Sequence, residues 1–131
     1  MKVVGAIIRN HAGEFLLQLR DDNAPTFKNC WTLFGGHVED DESIEQALLR
    51  ELDEEISLRL PSIESLRKVQ TNLNDNGIEQ YIYEVMTNVS ASQLVLNEGA
   101  AMKYVTTNEL FDRSFAFNIE TVLRQYLKVS R

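Results

Sequence analysis

Residues 36–58 have the sequence GHVEDDESIEQALLRELDEEISL, and this acidic stretch contains the strongest structural signal in the chain. Nine carboxylates lie between Gly36 and Ser57, against a single base, Arg50. Ser43 with Gln46 three positions later matches a capping box. Apolar residues then recur at helical spacing, at Ile44, Ala47, Leu48, Leu52 and Ile56. The pattern predicts an amphipathic helix that begins directly after Ser43.

Three glutamates of this helix, Glu51, Glu54 and Glu55, are spaced i, i+3, i+4 and therefore share one face. Like charges this close repel one another, so the arrangement lowers stability unless cations or water screen it. Carboxylate oxygens are hard ligands of the kind that bind Mg²⁺ or Mn²⁺. A plain solvated face is the alternative explanation of the triplet.

The longer spacing resembles the signature of the Nudix hydrolases, in particular a short, single-domain MutT-like member. That signature is G-x5-E-x7-R-E-U-x-E-E-x-G-U, where U is a bulky aliphatic residue. Here the fixed positions of the signature are occupied by Gly36, Glu42, Arg50, Glu51, Glu54 and Glu55. Leu52 and Leu58 occupy both U positions. The last glycine is Ser57, which we expect to end the helix in a left-handed conformation at some cost in stability. The family also often has a proline where this chain has Phe34.

The resemblance implies an α/β fold, a Nudix-type α/β/α sandwich with a mixed sheet between helices, in a single domain over residues 1–131. It also implies a Mg²⁺ cofactor, with Mn²⁺ as a substitute. The implied metal ligands are the Gly36 carbonyl and the carboxylates of Glu51, Glu54 and Glu55. Arg50 would hold these carboxylates in place, with Glu42 as a structural partner.

The implied reaction is hydrolysis of a diphosphate linkage in a nucleoside diphosphate joined to another group. A (deoxy)nucleoside triphosphate or an oxidised nucleotide, giving a monophosphate and pyrophosphate, is the preferred substrate. Nucleotide sugars, ADP-ribose and dinucleoside polyphosphates remain alternatives, as does a non-catalytic nucleotide-binding Nudix module. An acidic interaction protein is a third hypothesis. The general base is left open among Glu51, Glu54 and Glu98.

Three further residues are candidates for substrate binding. Arg20 and His37 are placed to contact phosphate, and an ordinary surface role is the alternative for each. Asn118 is the expected N-cap of a last helix at residues 119–127, and recognition of a purine edge is its alternative role, implied by the resemblance.

Strands are predicted at residues 3–8, 15–19, 64–71, 80–86 and 102–105, with short strands also at 31–34 and 93–96.

The composition narrows the class of protein. A net charge of −7 disfavours binding to a nucleic-acid polymer or an anionic membrane, so a small nucleotide is the expected partner. A single cysteine excludes an internal disulfide and a cysteine-based zinc site. No stretch has the length of a membrane span, and we expect a cytoplasmic protein. The sequence gives no indication for or against a homo-oligomer.

Overall fold

The computed structural model describes residues 1–129, so the last two positions of the predicted 1–131 domain lie outside the described residues. Among these residues, four strands precede the first helix, and three more lie between it and the second helix. Their bounds are β1 Lys2–Arg9, β2 Phe15–Leu19, β3 Trp31–Thr32, β4 Phe34–His37, α1 Ile44–Ile56, β5 Arg67–Leu73, β6 Glu79–Met86, β7 Ala101–Val105 and α2 Ile119–Val129, with 3₁₀ turns at Ile63–Ser65 and Ala91–Gln93.

Strand β1 lies at the centre of one mixed sheet. On one side it pairs along its whole length with β6, in parallel, from Lys2 opposite Glu79 to Arg9 opposite Met86. On the other side it pairs antiparallel with β4 through its first half and with β2 at its end. β5 extends the sheet beyond β6, and β3 and β7 both pair with β2.

The two faces of the sheet carry separate apolar clusters, because successive strand residues point to opposite sides. Ala6 and Ile8 pack with Leu48 and Leu52 of α1. Ile7, between them in sequence, packs with the α2 side chains on the opposite face. The predicted α/β/α sandwich is therefore confirmed.

Helix α1 begins and ends as the sequence predicts. The Ser43 side chain accepts a hydrogen bond from the Gln46 N–H, and the Gln46 side chain accepts one from the Ser43 N–H. At the other end Ser57 is left-handed, with φ 55° and ψ 31°. Its N–H donates to the Asp53 carbonyl at 3.0 Å. A serine therefore occupies a position that normally favours glycine.

Two predicted elements differ from the structure. Residues 93–96 are not a strand. Instead, the N–H groups of Val95 and Asn97 donate to the Ile56 and Glu55 carbonyls, which have no N–H donor within α1 because they lie at its end. The run at 31–34 is split, and its second part continues to His37 because β4 pairs with β1. Among the described residues, no helix is long and apolar enough to cross a membrane.

Candidate active site

Two glycines bring β4 close to β1 on one side and to α1 on the other. Gly35 has φ 152°, and a Cβ there would lie 2.0 Å from the Val4 carbonyl oxygen. A Cβ on Gly36 would lie 2.6 Å from the carboxylate carbon of Glu51. Since real Cβ atoms do not approach that closely, only glycine lets the Glu51 carboxylate rest against the strand backbone.

Glu55 is a buried carboxylate, with 3% of its surface exposed. One oxygen accepts a hydrogen bond from the Gly35 N–H at 3.3 Å. The other, Oε2, is buried without a hydrogen-bond partner. Burial, first, and the neighbouring side chains of Glu51 and Glu98 together raise the pKa of Glu55 to about 9. A protonated Glu55 can donate to Glu51, whereas an ionised one needs a cation.

Arg50 connects the acidic side chains. Its guanidinium donates two hydrogen bonds to Glu42, at 2.6 and 3.1 Å, and others to Glu51 at 2.9 Å and Glu54 at 3.3 Å. The carboxylates of Glu42, first, and Glu51 raise the pKa of Arg50 further above its already high ordinary value. Arg50 also donates to the His37 carbonyl at 3.1 Å, which fixes α1 to the end of β4. The predicted pairing of Arg50 with nearby acids is present.

Glu54 differs from its neighbours in exposure. Its side chain is 59% exposed, against 15% for Glu51. Among residues 1–129, no three acidic, histidine or cysteine side chains are already gathered closely enough to form a metal site. The Arg50 guanidinium contacts one oxygen of Glu51, Oε1, and one of Glu54, Oε2, so the second oxygen of each carboxylate is not used by Arg50.

The loop at residues 94–100, here called the Glu98 loop, precedes β7 and contacts both the end of α1 and strand β2. The Asn97 side chain donates to the Glu54 carbonyl at 3.0 Å. The buried Gln18 side chain of β2 donates to the Glu98 carbonyl at 2.8 Å. Gly99 permits this contact, because a Cβ there would lie 2.9 Å from the Gln18 side chain. The exposed Glu98 carboxylate is thereby brought near Glu55, as the pKa of Glu55 reflects.

A cavity of about 680 Å³ extends from these acids across the sheet. Gly36, Glu55 and Glu98 line it on one side. The carboxamides of Asn72, Gln80 and Asn118 line it on another. Leu33, Ile82 and Ile119 give it apolar walls. A ligand with an anionic part and an uncharged part fits such a cavity.

The sequence profile of the NUDIX domain matches residues 1–126. The chain belongs to the Nudix family. It is 31% identical over 126 residues to the nucleoside triphosphatase NudI of Escherichia fergusonii, covering 95% of this chain and 85% of that protein. It is 29% identical over 117 residues to the ADP-ribose pyrophosphatase of Methanocaldococcus jannaschii, covering 86% of this chain and 66% of that protein.

Solved Nudix structures show the same fold. The NUDIX domain of Shewanella oneidensis NrtR, in complex with ADP ribose, superimposes with a TM-score of 0.78 at 22% identity, covering 100% of this chain and 88% of that one. The MutT protein of Methanosarcina mazei gives 0.75 at 24% identity, covering 100% and 96%. Family and relatives together make this protein a Nudix pyrophosphohydrolase, a hydrolase of nucleoside diphosphates linked to another group.

All three predicted substrate-binding residues of this Nudix protein line the cavity, but their contacts differ. Arg20 donates to the Thr26 carbonyl at 3.1 Å and lies over the Phe117 ring. His37 is exposed, and its carbonyl accepts from Arg50. Asn118 lies at the predicted N-cap position directly before α2, where its carbonyl accepts a hydrogen bond from the Val122 N–H at 3.0 Å. Its side-chain amide pairs with Gln80 rather than with the helix, in two hydrogen bonds of 2.9 Å.

Sequence reasoning missed several polar residues of the Nudix cavity, among them Gln18, Asn72 and Gln80. Each of these three lies on a strand among apolar or β-forming neighbours. For Gln18 the sequence did contain a signal. A glutamine inside the apolar run FLLQL is expected to be buried, and a buried carboxamide needs a hydrogen-bond partner. Asn72 and Gln80 gave no comparable signal, since polar residues on a strand normally face solvent.

Proposed function

We propose that this protein is a Mg²⁺-dependent hydrolase of nucleoside triphosphates, normal or oxidised, which releases a monophosphate and pyrophosphate. The observation that carries the proposal is the buried, unpartnered Glu55 Oε2 beside Gly36 and Glu51, at one side of a cavity that also offers neutral polar groups. The 31% identity to a nucleoside triphosphatase over 85% of its length supports this substrate class.

The residues present fit a hard divalent cation. Glu55 Oε2 lacks a donor, and Gly36 leaves room for the Glu51 carboxylate at the backbone. In this proposal Glu51, Glu54, Glu55 and the Gly36 carbonyl hold Mg²⁺, and Mn²⁺ can replace it. When bound, the cation supplies charge neutralisation on the diphosphate and stabilisation of the leaving phosphate.

The other residues orient the substrate and handle the proton. Arg50 holds the Glu51 and Glu54 carboxylates through its hydrogen bonds to both. Arg20 and His37, at the cavity wall, contact the phosphates. Glu51, Glu54 and Glu98 remain candidates for the general base, and the exposed Glu54 and Glu98 are the two most open to an attacking water.

A second substrate class has specific support. The ADP-ribose pyrophosphatase relative acts, by its name, on ADP-ribose, whose diphosphate links adenosine to a ribose, and it is 29% identical to this chain. The same acids serve both reactions, because the bond that breaks is a phosphoanhydride in each case. The preference for a triphosphate or for ADP-ribose must therefore depend on the residues that bind the group beyond the diphosphate.

The test is product analysis with a substrate panel. The panel comprises nucleoside triphosphates, oxidised guanosine triphosphate, ADP-ribose, nucleotide sugars and dinucleoside polyphosphates, each with Mg²⁺ and with a chelator. Triphosphates should give a monophosphate and pyrophosphate only with Mg²⁺, and Glu54→Gln should lower kcat at least ~100-fold, the typical effect of losing a charge-stabilising group.

The matched control is Asp53→Asn. This residue neighbours Glu54 on the same helix, but its carboxylate pairs with Arg59 at 2.9 Å, away from the cavity. It should retain full activity. Nucleotide binding without cleavage of any substrate would contradict the proposal and favour a non-catalytic module.

A further inference from the structure

The Glu98 loop is bound to α1 on one side. The N–H groups of Val95 and Asn97 donate to the Ile56 and Glu55 carbonyls at 3.1 and 2.8 Å. The Asn97 side chain donates to the Glu54 carbonyl at 3.0 Å. All three acceptors belong to the last turn of α1, which also carries two of the acidic site residues. The first half of the loop therefore follows the position of this helix.

On its other side the Glu98 loop is bound to β2. Gln18 Nε2 donates to the Glu98 carbonyl at 2.8 Å, and the Ala100 N–H donates to the Leu19 carbonyl at the same distance. Gly99 lies between these two bonds with φ 93°, and a Cβ there would lie 2.9 Å from both the Gln18 side chain and the Leu19 oxygen. A backbone conformation that favours glycine thus brings the loop against the strand.

Gln18 is an unusual residue for its place in the sheet. It is 6% exposed within the strand FLLQL. Leu16, two positions earlier and on the same face, packs in the apolar cluster around α1. Burial of a carboxamide is unfavourable unless it is hydrogen-bonded, whereas leucine would fill a similar volume without a polar group. Packing alone does not explain the glutamine, but its bond to the Glu98 carbonyl does.

These bonds fix the backbone on both sides of the Glu98 side chain. Asn97 is held by α1, and Glu98 and Ala100 are held by β2. Glu98 is exposed and lines the cavity together with Gly36 and Glu55. Its charge is one cause of the raised pKa of Glu55, so the two carboxylates are close. A loop without these bonds would sample many backbone conformations, and Glu98 would occupy this place only part of the time.

We propose that Gln18 is a positioning residue for catalysis, an inference that rests on the proposed function. Through the Glu98 carbonyl it holds the loop against β2, and so it holds the Glu98 carboxylate at the acidic end of the cavity. Gln18 itself does not touch the reacting atoms. Its loss therefore affects catalysis only through Glu98, which distinguishes positioning from a general contribution to folding.

A double-mutant cycle tests this coupling. Its members are wild type, Gln18→Leu, Glu98→Gln and the double variant, and kcat and KM are measured with Mg²⁺ for the nucleoside triphosphate that is cleaved fastest. Gln18→Leu should lower kcat roughly tenfold, because a small displacement of a group near the reacting atoms is costly. KM should change less than about twofold, because the groups that bind the substrate stay in place. In the Glu98→Gln background the same substitution should have no further effect on kcat.

Two further variants complete the experiment. Gly99→Ala disturbs the same contact from the side of the loop, since its Cβ would meet the Gln18 side chain, and it should also lower kcat. It keeps the test decisive if Gln18→Leu does not fold. The matched control is Leu17→Val, because Leu17 is also buried on β2 but faces the α2 cluster. This control should lose stability and keep its kcat, and thermal melting verifies that every variant is folded at the assay temperature.

Full additivity in the cycle would overturn the proposal, because Gln18 would then act independently of Glu98. An unchanged kcat in Glu98→Gln would do the same. So would a loss of kcat in Leu17→Val as large as that in Gln18→Leu, because it would indicate a general effect of lower stability.

Amide hydrogen exchange measures the contact without any substrate. The Asn97 and Ala100 N–H groups should exchange roughly tenfold faster in Gln18→Leu than in wild type, because loss of the bond favours local opening of the loop. Unchanged exchange at both positions would contradict the proposal. If no triphosphate is cleaved, the proposed function fails, and the exchange rates alone then decide whether Gln18 holds the loop.

Discussion

At the scale of single residues, Glu55 carries an energetic conflict, because its carboxyl group is buried beside other acids. Its pKa is raised from 4.5 to about 9, chiefly by burial. Because the folded pKa lies above the unfolded one, this residue's contribution to stability is fully present below pH 4.5 and is lost as pH rises toward 9. The metal-free protein should therefore become less stable over this interval.

Glu55→Gln tests this reasoning, since glutamine resembles the protonated acid and keeps the acceptor for the Gly35 N–H. In chelator at pH 8 the variant should be more stable than wild type by about 1.4 kcal/mol for each pH unit above 4.5, because the wild-type protein must take up a proton at Glu55 to fold and the variant need not. Denaturant unfolding at several pH values measures the difference. Glu54→Gln is the control, because its exposed side chain should give almost no gain. An equal gain in both would refute the role of burial.

At the scale of elements, the backbone at the end of α1 is strained, and one substitution can relieve that strain. Ser57 is left-handed at φ 55°. Ser57→Gly should raise stability by about 0.5–1 kcal/mol, because relief of the left-handed cost slightly exceeds the added freedom of the unfolded chain. Thermal and denaturant melts measure the gain. Ser57→Ala keeps the Cβ and should not be stabilised, so a similar effect of both substitutions would contradict the explanation.

How far sequence predicts structure also depends on the element. Helix α1 follows from local rules, since Ser43, Gln46 and the apolar spacing act within a few residues of one another. The 93–96 segment was predicted as a strand because its composition favours one. Its N–H groups instead satisfy carbonyls of α1 about forty positions earlier, a partner that no local pattern indicates.

The same distinction holds for the site. The shared helix face of Glu51, Glu54 and Glu55 could be predicted from their spacing. The Nudix signature further indicated that Gly36 lies beside them. Gln80 could not, because its partners come from β5 and from the residue before α2, and only the sheet register joins these segments. The place of Asn118 at the start of α2 could be predicted, but its side-chain pairing with Gln80 could not, for the same reason.

At the scale of the whole molecule, net charge and metal response are linked. The chain carries −7, and nine of its acids lie in residues 39–55. If a specific site forms there, Mg²⁺ should raise the Tm by several degrees, since a ligand at ~100 times its Kd adds ~2.7 kcal/mol. Differential scanning calorimetry with Mg²⁺, against NaCl of equal ionic strength, measures this. NaCl should give a much smaller shift, and an equal shift would indicate simple screening of a solvated acidic face.

The central position of β1 has a consequence for how the protein is made. Residues 2–9 pair with β2 and β4, which follow soon in the chain, but their parallel partner comprises residues 79–86. One side of this central strand therefore stays without its partner until about seventy further residues have been synthesised. Such pairing between distant segments slows folding and leaves nascent chains open to aggregation. The apolar β1 segment is thus a part of this enzyme that a chaperone would have to protect during synthesis.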